Sequence, residues 1–236
     1  HAFDAHQIKD ATVVVKKYPA VSLFVTLDGN ERKLTANDLM ISDTEKPLCI
    51  AGVFGGLKSG VSATTTSIFL ESAWFENIHV RKTSLHHGLR TDAATRFEKG
   101  VDIAGTVNVL ERAAAMIQEI AGGKCSEVID VYPHPVVKAT VKLTYAYLKK
   151  LSGKFYPAAQ VKTILTSLGF ELIKEDDLSI EVAVPHHKPD ISLPADLVEE
   201  VLRIDGLDNI EIPSSITISP SIDPLEQKEK FKIINM

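Results

Sequence analysis

Positive charge is scarce in this sequence. Lysine and arginine number 26 against 31 aspartates and glutamates, a formal net charge of −5, so attraction to nucleic acid over the whole surface is not expected and any RNA contact must come from a local patch. No apolar run reaches the roughly 18–20 residues that span a bilayer. There are two cysteines, Cys49 and Cys125, and they form no metal-ligand spacing. Cys49 sits in the apolar run P-L-C-I-A, where buried free thiols are common, and a reducing cytoplasm is the default compartment. A Ser-His or Cys-His nucleophile arrangement is missing, as is a His-x-x-x-His motif. Internal repeats, long low-complexity segments and a signal peptide are also lacking. The chain opens on His1 rather than Met, which reads as an excerpt from a longer protein.

What is present is ordinary for a soluble globular protein: 44% hydrophobic and 24% charged residues over 236 positions, enough for one large or two modest domains with real cores. Strands are expected over Ala11–Tyr18, Val21–Leu27, Asp38–Ser42, Pro47–Val53 and Ser67–Ala73, with a turn at Asp28-Gly29. A helix over Phe75–His87 ends at Gly88. The clearest helix is Ile103–Ala121, where Val107, Leu110, Ala114, Ile117 and Ala121 recur at three and four before Gly122-Gly123. Glu127–Tyr132 reads as a further strand. The first 135 residues therefore predict a mixed α+β domain built on a sheet, with helices on one side.

Pro133-His134-Pro135 marks a boundary. Beyond it come strand Thr140–Leu143, helices Tyr145–Leu151 and Ala158–Leu168, a strand pair Phe170–Lys174 and Ser179–Val184 turning at Asp176-Asp177, and helix Ala195–Ile204 stopped by Gly206. Three helices with a β wing predict a small winged-helix-like α+β domain over 136–213. A winged helix often binds nucleic acid, but fold alone does not establish it, and the final helix carries few basic residues. From Ser214 to Met236 the chain is Ser/Pro-rich and then polar, as a linker opening a further domain would be.

Three stretches point to a pocket: A-G-V-F-G-G (51–56), L-E-S-A-W-F (70–75) and G-L-R-T-D-A-A-T-R-F-E-K-G (88–100). Small residues and main chain dominate them, as close approach of a ligand to backbone requires. Glu71 falls in an apolar strand, where a carboxylate is costly unless paired; the bland alternatives are water, Arg90 or Arg96. Thr91 and Ala93, two apart, face one side if the segment is extended, although Thr91 also fits a helix N-cap. The loop from Gly52 misses the phosphate-loop pattern, since Leu57 stands where a glycine is required and strand-like residues follow, so a turn between strands is the better reading.

E-S-A-W-F followed by G-L-R-T-D-A-x-x-R-F-E-K-G-V-D resembles the editing module of the bacterial phenylalanyl-tRNA synthetase β subunit, and the likeness runs from His1 to about Pro213. It implies hydrolysis of the ester in mischarged tyrosyl-tRNA(Phe). In that reading Glu71 takes the tyrosine hydroxyl, Thr91 and Ala93 form the pocket floor, Gly52 and Gly55 line the ester end, and His1 stands near the pocket. A second site that accepts the hydroxyl discriminates by ~10⁴ or more, because phenylalanine would leave the acceptor unpaired. The resemblance further implies a cytoplasmic α2β2 assembly with the α subunit, which would hold the ATP-dependent aminoacylation chemistry, and no membrane association. The alternative is a non-catalytic module binding tRNA or the partner subunit, its pocket idle.

Two charged clusters complete the reading. Arg81, Lys82, Arg90, Arg96 and Lys99, with His86 and His87, concentrate positive charge beside the pocket; ordinary surface charge is the bland account, and contact with the tRNA acceptor end follows only from the resemblance. His86 and His87 are expected on a solvated face or at phosphates. Asp196, Glu199 and Glu200 share one helix face, with Asp190 a loop earlier. Acidic residues in a first turn often just complement the helix dipole. All-oxygen ligation also suits magnesium, and in the resembling family these four positions match Mg2+ ligands shared with the α subunit.

Overall fold

The computed structural model describes residues 1–18 and 22–212. Two hydrophobic clusters organise it, one drawn from Phe3 to Phe97 and the other from Val141 to Leu202. The linker expected from Ser214 onward lies outside the described residues.

The N-terminal half holds three small antiparallel pieces instead of the single sheet expected. β1 (Ala2–Asp4) pairs with β8 (Ile68–Leu70). β2 (Val14–Lys17), β5 (Leu39–Ser42), β6 (Pro47–Ile50) and β7 (Phe54–Gly55) form a four-stranded sheet in the order β2-β5-β6-β7. β3 (Leu23–Val25) and β4 (Glu31–Lys33) make a hairpin, joined to β7 by a bridge between Thr26 and Gly56. The strands are short because their apolar runs are short; Phe3, Met40, Leu48 and Ile50 are fully buried and lock them into one core.

Helix α1 (Asn77–His87) starts where the Glu76 carboxylate accepts from the backbone N–H of Ile78 and His79, and ends at Gly88 with φ +65°, satisfying groups that a helix end leaves open. α2 (Asp92–Phe97) packs on α1. α3 (Thr106–Ala121) ends at Gly122 as expected, yet buries none of its residues. The strand expected over Glu127–Tyr132 does not form: no strand lies beside it among the described residues, and the run is exposed throughout. Without a neighbour its backbone groups have no ladder to join.

The C-terminal half follows the sequence closely. β9 (Thr140–Thr144), β10 (Glu171–Glu175) and β11 (Ser179–Ala183) form an antiparallel sheet in the order β10-β11-β9. The β10–β11 turn is tied by Asp176, whose Oδ1 accepts from Leu178 N–H, Ser179 N–H and the Ser179 hydroxyl. Helices α4 (Tyr145–Ser152), α5 (Ala158–Ser167) and α6 (Pro194–Asp205) cover it, burying Leu148, Leu165, Leu197 and Val201 with Leu143 and Ile180. The architecture is α+β in both halves. Among the described residues no helix is long and apolar enough to cross a membrane.

Candidate functional site

The β1–β8 ladder runs one pair beyond its last strand residue. Glu71 N–H donates to the His1 carbonyl at 2.8 Å, and the His1 amino group donates to the Glu71 carbonyl at 2.7 Å. Glu71 is thereby held rigidly by its backbone. Its side chain is half-buried and has no hydrogen bond or ion pair among the described residues. Burial raises its pKa above the ordinary glutamate value, and the nearby His1 amino group only partly opposes this. Arg90 and Arg96, the bland partners, are exposed and join no ion pair among the described residues. Beneath it lies Cys49, whose thiol is pushed up to about 12 by burial and by the Glu71 carboxylate.

The glycine loop is a tight turn between β6 and β7, as its sequence indicates, with Val53 N–H donating to the Ile50 carbonyl at 3.0 Å. Its two site glycines meet different neighbours. A Cβ on Gly55 would lie 2.8 Å from His1 Cε1 and 2.9 Å from Leu27 Cδ1, so the imidazole rests on bare backbone, its ring 4.4 Å from that of Phe3. Gly52, at φ +67°, instead faces the core, where a Cβ would meet Phe75 Cδ2 at 3.0 Å and Val80 Cγ2 at 3.1 Å.

Thr91 and Ala93 are not on an extended segment, because helix α2 begins at Asp92. Thr91 is its N-cap, accepting from Ala94 N–H at 3.0 Å, while its hydroxyl donates to the Val53 carbonyl at 2.6 Å. One side chain so fastens α2 to the glycine loop. Ala93 is exposed on the first turn. The structure thus gathers His1, Gly55 and Glu71, ties Thr91 to the same loop, and leaves Gly52 in the core and Ala93 at the surface.

Of the basic segment, Arg81, Lys82, Arg90, Arg96 and Lys99 are all exposed and enter no ion pair among the described residues. His86 is exposed, but His87 corrects the expectation of a solvated face: its side chain is buried, with Nε2 2.9 Å from Asp38 Oδ2. Asp38 also accepts from Thr83 Oγ1 at 2.9 Å and from Thr35 N–H at 2.7 Å. Burial works against ionising Asp38, but these hydrogen bonds and His87 prevail and hold its carboxyl below the usual range. The signal was available: Val80, Thr83 and His87 recur at three and four on one helix face, and polarity masked it. This network borders a cleft of about 130 Å³ floored by Leu39, Ala51, Phe75 and Val80 and reached by Thr83.

The acidic quartet does not assemble. Asp196 Oδ2 accepts from Ser192 N–H at 2.8 Å and Leu193 N–H at 2.7 Å, a helix-start role that holds its pKa down. Glu200 is buried and carries Lys188 Nζ at 2.7 Å and Arg203 Nη2 at 2.8 Å. Asp190 and Glu199 are exposed. No group of three His, Cys, Asp or Glu able to hold a metal occurs among the described residues. With Glu200 already neutralised by two cations and Asp196 spent on backbone, this donor set does not fit magnesium within the chain itself.

Residues 1–122 match the B3/4 domain family and residues 141–207 the tRNA synthetase B5 domain. The chain is 47% identical over 220 residues to the phenylalanine–tRNA ligase β subunit of Bacteroides fragilis (strain YCH46), covering 93% of this chain and 27% of that protein. It is 43% identical over 220 residues to the same subunit of Porphyromonas gingivalis, again covering 93% and 27%. The Carboxydothermus hydrogenoformans subunit is 38% identical over 237 residues, covering 100% and 30%. The chain therefore spans little more than a quarter of the length of such relatives. A crystal structure of an N-terminal fragment of the phenylalanyl-tRNA synthetase β subunit from Pyrococcus horikoshii aligns over 86% of this chain and 58% of its own, at 16% identity and a TM-score of 0.45.

Proposed function

The chain belongs to the B3/4 domain family, and from that membership we propose that it is the proofreading portion of a phenylalanine–tRNA ligase β subunit, hydrolysing tyrosyl-tRNA(Phe). Water adds to the ester carbonyl carbon, the bond to the terminal ribose oxygen breaks, and tyrosine leaves as its carboxylate. The observation that carries the proposal is Glu71: a carboxylate fixed by its backbone, shielded enough to raise its pKa, and without a hydrogen-bond donor among the described residues. Such a group is an acceptor waiting for an O–H. A phenol supplies one and phenylalanine does not, which converts one hydroxyl into discrimination of ~10⁴.

The remaining groups position the substrate. The His1 imidazole rests on Gly55 beside Glu71 and serves as the wall at the ester end. The Thr91 hydroxyl is committed to Val53 and Ala94, so it shapes the wall and does not abstract a proton. Hydrolysis then rests on positioning water, with no covalent intermediate. Five exposed cations on α1, α2 and their flanks suit the phosphates of the acceptor strand. Aminoacylation belongs to the α subunit in this reading, with B5 contributing to the assembly. Magnesium, if shared between the subunits, would need donors that this chain does not supply, and no step of the hydrolysis uses it.

The test is deacylation of tyrosyl-tRNA(Phe) by the intact enzyme with Glu71→Ala alongside. Loss of tyrosine selectivity with phenylalanyl-tRNA(Phe) spared is the expected result. Unchanged deacylation in the variant removes Glu71 from the reaction.

A further inference from the structure

Leu27 lies in the turn between β3 and β4 and is 43% exposed, yet its side chain folds back over the glycine loop. Its Cδ1 comes within 2.9 Å of the point where a Gly55 Cβ would stand, and its Cδ2 within 3.5 Å of the same point on Gly60. His1 Cε1 lies 2.8 Å from that spot on Gly55. Leucine and imidazole therefore share one glycine, and the imidazole belongs to the residue whose backbone pairs with Glu71. A turn residue keeps one such placement only where its backbone is held.

Arg32 does the holding. The residues on either side of Leu27 are Thr26 and Asp28, and one guanidinium takes both. Nε donates to Thr26 Oγ1 at 3.1 Å and Nη2 to Asp28 Oδ2 at 2.8 Å. Thr26 Oγ1 donates onward to Asp28 Oδ1 at 2.5 Å, which closes a ring around the turn. The third nitrogen, Nη1, donates to the His87 carbonyl at 2.9 Å and anchors the ring on α1. Leu27 N–H then donates to the Gly55 carbonyl at 3.0 Å. A lysine, with one nitrogen, cannot copy this fork. With every nitrogen engaged and its side chain only 18% exposed, Arg32 is not disposed as a phosphate contact.

We infer that Arg32 is a positioning residue for the Glu71 site, fixing Leu27 on Gly55 so that leucine and His1 form one firm wall. Its kinetic consequence rests on the proofreading reading of Glu71; the placement of Leu27 does not. An ester undergoing attack by water tolerates little drift, so a loose wall beside it lowers the rate.

Two readouts on the intact enzyme test this. With leucine methyls labelled, a nuclear Overhauser contact between Leu27 Cδ and the His1 ring is expected in the parent and lost in Arg32→Ala and Arg32→Lys. Its absence from the parent, or its retention in both variants, overturns the inference. In deacylation of tyrosyl-tRNA(Phe), Arg32→Ala and Leu27→Ala should each lower kcat/KM about tenfold. The double variant should be no worse than Leu27→Ala alone, a non-additivity that a purely structural role of Arg32 does not produce. Additive losses overturn the inference. Should Arg32→Ala fail to fold, Leu27→Ala at its part-exposed position still decides, and unchanged kcat/KM in that variant overturns the inference. Failure of the proofreading reading has a different signature, deacylation that survives Glu71→Ala, and leaves the methyl contact and its loss in the Arg32 variants as they were.

Discussion

Asp38 and His87 meet across 49 positions of sequence, carboxylate Oδ2 to imidazole Nε2 at 2.9 Å, with both side chains out of solvent. The contact fastens the last turn of α1 to the start of β5. His87 makes a second tie, to β4, because its carbonyl also accepts from Arg32 Nη1 at 2.9 Å, and Arg32 reaches Asp28 Oδ2 at 2.8 Å.

His87→Ala should therefore cost about 3 kcal/mol, since removing one partner strands the other charge in a dry site. Asp38→Ala should cost a similar amount, and the double variant less than the sum, a coupling that a double-mutant cycle by urea denaturation measures. The pH dependence has a fixed sign. Asp38 has a lowered folded pKa, so its contribution is present above the unfolded value near 3.8 and is lost as pH falls through the folded one. Acid titration of the His87→Ala variant should show a flatter loss below pH 4.

Glu71 carries the opposite sign. Its folded pKa is raised, so the native state holds a proton more tightly than the unfolded chain, and stability falls as pH rises from the unfolded value through the folded one. Glu71→Gln should raise Tm by ~1–3 °C at pH 7 and leave it unchanged near pH 4, by calorimetry. Gain of stability with loss of tyrosine selectivity is the pattern of a group kept for function.

Thr91→Ala removes an N-cap and should destabilise by about 1 kcal/mol, with more lost as the Val53 carbonyl goes unpaired. Thr91→Ser retains both bonds and should behave as the parent. Ala93 is exposed, so Ala93→Trp should leave Tm within about 1 °C; any loss of deacylation in that variant reports entry of substrate, not folding.

The five exposed cations should behave additively towards tRNA. Arg90→Ala and Arg96→Ala are each expected to lower the dependence of log K on log salt by roughly 0.7–0.9 if each contacts a phosphate, measured by filter binding of tRNA(Phe) to the intact enzyme. An unchanged slope removes that residue from the interface.

How much of this was legible in the sequence varies with how local the cause is. Helix ends were readable because Gly88, Gly122 and Gly206 stop helices through their own backbone. The C-terminal half was readable because its strands and helices follow one another with turn residues between. The N-terminal sheets were not, since β1 pairs with β8 across more than sixty positions and no local pattern records a distant partner. Glu127–Tyr132 failed for the complementary reason: its pattern is that of a strand, but a strand is a property of two segments. His87 was misplaced because a polar residue was assigned to solvent, although its spacing from Val80 and Thr83 put it on the inward face. The acidic quartet was read from spacing and resemblance, and within this chain its side chains are not brought together. Neighbours on a helix differ by about 100°, so Glu199 and Glu200 point apart, and Lys188 and Arg203 claim the buried one.

Cys49 adds a consequence of its own. A thiol held near 12 stays protonated at any pH a cell reaches, and the protonated form is inert to peroxide and alkylating reagents. Oxidative stress therefore has no handle on the ground under Glu71. The exposed Cys125 takes any such damage first, at a place remote in sequence from the carboxylate, and a single maleimide dye can be attached there while the buried sulfur stays dark.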